Sequence, residues 1–121
     1  LATKKEYIIK MNTGSSSDSQ AFEGFSINEF ETSIIKGNLN GLIIDSPDRI
    51  SITINSSLGY LIFHNGQTRG INYYAPRAVL QGHTTHIAVA DQFDKFKLNE
   101  RLNIRISGPA NQEVTIIIRI D

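Results

Sequence analysis

The sequence predicts an all-β domain: an antiparallel β-sandwich of jelly-roll or Greek-key type, with about eight or nine short strands and little helix. A closed barrel is the related alternative. Three observations carry this. Residues 49–55, RISITIN, set Ile50, Ile52 and Ile54 against Ser51 and Thr53, the period of two that a half-buried strand requires. Near the C-terminus Leu102, Ile104 and Ile106 alternate with Asn103, Arg105 and Ser107, and Val114, Ile116, Ile118 and Ile120 repeat the pattern after the breaker-rich stretch 108–112. These two segments read as a hairpin of core strands. Elsewhere Gly, Pro, Asn, Asp and Ser punctuate the chain at roughly 8–12-residue intervals.

Taken in order, residues 6–12 form a first strand. Residues 13–20, TGSSSDSQ, are a flexible Ser-rich loop, because small polar side chains bury too little to offset the entropy of ordering. Residues 25–35 have two readings: Ser26 and Glu29 have capping-box spacing, while Phe30, Thr32 and Ile34 alternate. Strand, turn region at 36–41, strand is the preferred arrangement for 30–45. Ser46-Pro47-Asp48 then separates this segment from the strand at 49–55. Ser56-Ser57 connects to a strand at 58–64, and Asn65-Gly66 is a strong turn dipeptide. Residues 70–74 and 77–80 flank Pro76, which suits an edge or a bulge. Residues 86–90 form a short strand, and 91–97 a turn of helix.

The whole chain, residues 1–121, is expected to form one domain large enough for a single core. Leu1 in place of methionine points to a processed or trimmed end. Twelve basic residues balance twelve acidic ones, so the clustered positive charge that duplex DNA or an anionic membrane would need is missing. Arg69, Arg77, Arg101 and Arg105 are too few against this balance to predict a nucleic-acid partner. There is no cysteine, which removes disulfides, thiolate catalysis and thiolate metal sites. No apolar run approaches the roughly 20 residues of a membrane helix, so membrane insertion is not expected.

Chemistry is sparse. His83 and His86 are three apart in a Gly/Thr-rich context, and the remaining histidine, His64, is distant, so no metal site and no cofactor is expected. Asp45, Asp48, Asp91 and Asp94 could supply paired carboxylates, but Asp45-Ser46-Pro47-Asp48 is more simply a turn. Nucleophile-elbow, P-loop, dinucleotide and calcium-loop motifs are all missing. A hydrolase would need Asp45, Asp48, His83, His86 and Asp91 to converge in part. For a sugar ligand, Tyr60, His64, Arg69, Tyr73 and Tyr74 offer aromatic faces and hydrogen-bonding groups, although tryptophan is lacking.

The strongest functional signal is an excess of apolar side chains. Tyr7-Ile8-Ile9, Leu42-Ile43-Ile44, Tyr60-Leu61-Ile62-Phe63 and Ile116-Ile117-Ile118 are apolar on both faces, where a sheet with one wet side should alternate. Each such side chain left in water forgoes about 1.5–3 kcal/mol. A third layer of the same chain or another subunit must cover them, and the scarcity of helix favours the subunit. Leu61, Phe63 and Ile117 are the candidate contacts. The expected function is therefore a non-enzymatic structural module, homo-oligomeric or joined to other subunits. It would belong to a larger particle or surface: a virion coat, decoration or tail protein, or a cell-surface layer. A carbohydrate-binding or adhesin domain is the alternative, and the hydrolase a second alternative.

Overall fold

A computed structural model describes residues 5–14, 25–80 and 92–121. The described chain is all-β: β1 (Lys5–Asn12), β2 (Phe25–Glu31), β3 (Ile35–Ser56), β4 (Leu61–Tyr74), β5 (Ala78–Leu80), β6 (Gln92–Asp94), β7 (Lys97–Glu100), β8 (Leu102–Pro109) and β9 (Glu113–Ile120). Seven of these strands form one antiparallel sheet in the order β1-β9-β3-β8-β2, with β4 and β7 also paired to β3, and β5 and β6 form a small ribbon. The sheet curls into a half-barrel with the aliphatic side chains inside.

β3 organises the curl. Its first half pairs with β9, from Leu39↔Ile120 to Asp45↔Thr115, and its second half pairs with β8, from Ser51↔Ser107 to Ser56↔Leu102. β4 runs antiparallel along the opposite edge of both halves, from Leu42↔Tyr74 to Asn55↔Leu61. The 22-residue strand therefore turns a corner between Ser46 and Ile50, where the register with β4 shifts and Ser46 Oγ donates to the Asp48 carbonyl at 2.5 Å. Ser46-Pro47-Asp48 bends one strand where a break between two strands was expected. The turn region expected at 36–41 likewise lies inside β3. Its Gly37 takes φ 129°, and an added Cβ there would collide with the Ile120 side chain and lie 3.1 Å from the Asp121 carbonyl oxygen.

The C-terminal pair shows the same substitution of corner for reversal. β8 and β9 are core strands as expected, but each pairs with β3 rather than with the other. Asn111, with φ 62°, turns the chain between them opposite the bend in β3. Asn65-Gly66 is absorbed into β4 as a bulge: Ile52 pairs Asn65 while Ile50 pairs Thr68, and Asn65 Oδ1 accepts the Gln67 N–H at 2.9 Å. A true reversal joins β3 to β4, where Gly59 donates to the Ser56 carbonyl at 2.9 Å with φ 101°.

Alternation through these corners places the core. Ile44, Ile52, Ile54, Ile104, Ile106, Ile116 and Ile118 are fully buried, with Leu39, Leu42, Ile50 and Leu102 beside them. Hydrogen bonds close the end of the half-barrel where β1 approaches β2. Ser26 Oγ donates to the Thr13 carbonyl at 2.5 Å, Thr13 Oγ1 to the Pro109 carbonyl at 2.7 Å, and Asn28 Nδ2 to the Asn12 carbonyl at 2.7 Å. The helical readings do not hold: residues 25–31 are strand, and β6 and β7 occupy most of 92–100. Pairing to β8 and to β3 satisfies the β2 and β7 backbones better than one isolated helical turn could. Most of the Ser-rich loop and all of the expected strand at 86–90 lie outside the described residues.

Gly37→Ala is expected to destabilise the fold by about 2–4 kcal/mol, because it combines an unfavourable φ with overpacking against Ile120. Urea unfolding followed by far-UV circular dichroism checks this; an unchanged midpoint would contradict the packing described here.

Candidate functional surface

Direct cross-strand partners in an antiparallel sheet point to the same face, so register shows which outward side chains lie together. On the half of the sheet formed by β1, β9, the first part of β3 and the last part of β4, Ile8 pairs Ile117, Ile117 pairs Ile43, and Ile43 pairs Tyr73. Their neighbours along each strand, such as Ile9, Ile116 and Ile44, are buried inside. The four therefore form one apolar row across the outer face. Ile8 is 62% exposed and Tyr73 72%, while Ile117 and Ile43 are half-buried between them. Two residues along, Ile71 adds a further exposed apolar side chain opposite Asp45.

The other half of the same sheet is built differently. Its outer row runs Glu29, Arg105, Thr53, His64 across β2, β8, β3 and β4. Arg105 Nε lies 3.7 Å from Glu29 Oε1, and Thr53 Oγ1 is 2.9 Å from His64 Nδ1. The next row is Glu31, Asn103, Asn55 and Leu61. One fold thus carries a polar outer face and an apolar one side by side.

The candidates from sequence fall in three places. Ile117 is at the centre of the apolar row. Leu61 is outward and 55% exposed, but it sits opposite Asn55 on the polar half. Phe63, expected to face outward with Leu61, packs against the core with its ring centroid 4.8 Å from that of Tyr74. The cause is a register shift between Ile54 and Asn55: it inserts Ile62 as an extra residue, so that Leu61 and Phe63 no longer share a face. Ile8, Ile43 and Ile71 were not singled out from sequence, and Tyr73 was considered only for a sugar. Ile8 and Ile43 are the middle residues of the doubly apolar triplets, so the signal was present and only the register was missing.

The five residues considered for a sugar do not converge. Tyr73 faces outward, whereas Tyr74 is turned to the core side and donates its hydroxyl to Thr68 Oγ1 at 2.9 Å. Arg69 lies at the β4 bend beside a cleft shared with Asp48, Arg49 and Gln67. Tyr60 and His64 do border one open cleft of about 570 Å3 together with Phe63, Arg77 and Phe96. Tyr60 and Phe96 stack on each other at 6.1 Å, and the Tyr60 hydroxyl donates to the buried Glu100 carboxylate.

Of the residues considered for hydrolysis, Asp45 is on the outer face and Asp48 caps the Arg49 N–H at 2.7 Å, while His83, His86 and Asp91 lie outside the described residues. Among the described residues no group of three or more His, Asp or Glu side chains is placed to hold a metal ion, and no helix is long and apolar enough to cross a membrane.

The Tyr60 phenol is held above its ordinary value of 10.0, first by partial burial and then by the Glu100 hydrogen bond and charge, with Ser56 opposing. Since the folded value is raised, this contribution to stability is complete below pH 10 and is lost as pH rises through the folded value. Spectrophotometric titration of the chain against Tyr60→Phe should therefore reveal one phenol ionising later than an ordinary tyrosine; a difference spectrum centred at or below 10.0 would contradict the Tyr60–Glu100 contact.

No protein-family model matches the chain, and no curated protein matches it significantly.

Proposed function

We propose that the protein is a non-enzymatic structural module that acts by contact with other subunits through the outer face of β1, β9, β3 and β4. It would serve as a component of a larger particle or surface, such as a virion coat, decoration or tail protein, or a cell-surface layer. The observation that carries the reading is the contrast between the two outer rows. Ile8-Ile117-Ile43-Tyr73 is apolar across four paired strands, while Glu29-Arg105-Thr53-His64 is polar across the adjoining half. A row with two large side chains more than half exposed is costly in water and becomes favourable when covered. The two halves, joined by the corners in β3 and between β8 and β9, are further proposed to belong to the sandwich class, with the apolar row on the outside of one layer.

A sugar-binding role has weaker support, because the tyrosines that would form the platform face different ways or stack on a neighbour. A dispersed hydrolytic site has no convergent pair among the described residues.

Sedimentation velocity over a range of concentrations tests the proposal. The wild-type chain should associate, and Ile8→Asp combined with Tyr73→Asp should leave it monomeric. Since both side chains are largely exposed, stability should change by less than about 1 kcal/mol. Thr53→Asp, on the polar half, should not alter association. A wild-type chain that neither self-associates nor loses any subunit contact on this double substitution would overturn the reading.

A further inference from the structure

We infer that the partner seated on this face is a second copy of the same chain, related by a two-fold axis that lies along the Ile8-Ile117-Ile43-Tyr73 row. The inference rests on the assembly reading above and specifies its partner. Its basis is the charge pattern on either side of the row. Two residues towards one side lie Glu6, Arg119 and Gly41; two residues towards the other lie Lys10, Thr115, Asp45 and Ile71. Glu6 and Arg119 are already close on one copy, with Arg119 Nε 3.2 Å from Glu6 Oε1.

Face-to-face packing of two identical sheets places the symmetry axis in the plane between them. An axis along the row leaves each row residue facing its own copy and exchanges the two flanks. Glu6 then faces Lys10 of the second copy on the same strand, and Arg119 reaches towards Asp45 of the second copy one strand over. Symmetry repeats both pairs, so every charge bordering the row meets its opposite. An axis parallel to the strands instead places Lys10 over Ile71, with Asp45 of the second copy one strand over, and Arg119 over Gly41, which leaves Arg119 without an opposite charge across the interface. Either orientation buries the whole apolar row, but only the axis along the row gives all four flanking charges an opposite charge on the second copy. A net formal charge of zero adds no long-range repulsion between copies.

The area sets the strength. Strands lie about 4.8 Å apart and rise about 3.4 Å per residue. A face of four strands and eight residues therefore offers about 500 Å2 per copy, or about 1,000 Å2 in the pair, at the low end of specific interfaces. The pair is accordingly weak and concentration-dependent, suited to a lattice in which many contacts act together.

The test uses the full chain, whose lack of cysteine gives a clean background. Glu6→Lys and Lys10→Glu should each weaken dimerisation by about tenfold in sedimentation equilibrium, and the two together should restore it, because the pair is exchanged and not removed. Ile117→Cys and Ile43→Cys should each give covalent dimers with a short bismaleimide, and Thr53→Cys should not. Glu6 and Lys10 are exposed, and circular dichroism confirms that each variant is folded. Failure of the double charge exchange to restore dimerisation would overturn this symmetry. So would efficient cross-linking only between Ile117→Cys and Ile43→Cys mixed together. If the symmetry fails while Ile8→Asp with Tyr73→Asp still abolishes association, the assembly reading survives with a different partner geometry. A wild-type chain monomeric at every concentration overturns the second-copy inference outright.

Discussion

The structure depends on one strand keeping its alternation around a corner. β3 contributes backbone partners to β4, β7, β8 and β9, so most of the sheet is hydrogen-bonded to it directly. On either side of the bend the inward residues are Leu42 and Ile44, then Ile50, Ile52 and Ile54, all fully buried or nearly so. A slip of one residue at the bend would invert the second half and expose three isoleucines while burying Ser51 and Thr53. The Ser46–Asp48 hydrogen bond and the buried Gly108, whose added Cβ would lie 3.1 Å from the Arg49 carbonyl oxygen, leave the corner little freedom to slip. Continuity of β3 also explains why β8 and β9 bend together with it: they follow its far edge through the same turn.

That continuity makes the outer faces comparable. Both halves belong to the same sheet, have the same inward isoleucine packing and meet the same requirement for strand-forming residues. Outward isoleucine could be explained by strand propensity and cross-strand packing alone, which are worth about 0.2–1 kcal/mol per pair. The polar half answers this. There Ser51, Thr53, Asn55 and Arg105 occupy the equivalent outward positions, and β3 pairs β8 through them without a register shift. The fold does not need apolar side chains on its outside, so their concentration on one half reflects something other than the sheet's own stability. Tyr73 and Ile8, at the two ends of the row, gain least from cross-strand packing and are the most exposed members.

Sequence periodicity carried much of this, and its limits have physical causes. The alternations at 49–55, 102–107 and 114–120 became strands with the expected faces inward. The doubly apolar triplets located the apolar outer row, since Ile8, Ile43 and Ile117 are each the middle residue of one. Breaker residues were read as chain reversals because Gly, Pro and Asn permit reversals, bends and bulges alike; only pairing partners on both sides decide among them. Ser46-Pro47-Asp48 and Asn65-Gly66 both sit within strands that have long-range partners, and both became irregularities in a ladder. Phe63 illustrates the consequence. Simple alternation from Ile62 assigns it outward, but one extra residue in the bulge turns it in beside Tyr74.

Register was the missing quantity, and it is what converts scattered apolar residues into a surface. Leu61, more exposed than Ile43 or Ile117, ends a row that continues through Asn55 and Asn103, so it belongs to no run of apolar side chains across paired strands. Ile117 is less exposed, yet it touches Ile8 on one side and Ile43 on the other through consecutive ladder pairs. A contact surface depends on contiguous area that can be dried together, since an isolated side chain cannot exclude water from around itself. The row satisfies that condition across four strands, and its charged margins alternate in sign about it. Exposure of single residues would rank Leu61 with Ile8; contiguity separates them, and it is contiguity that a partner surface can use.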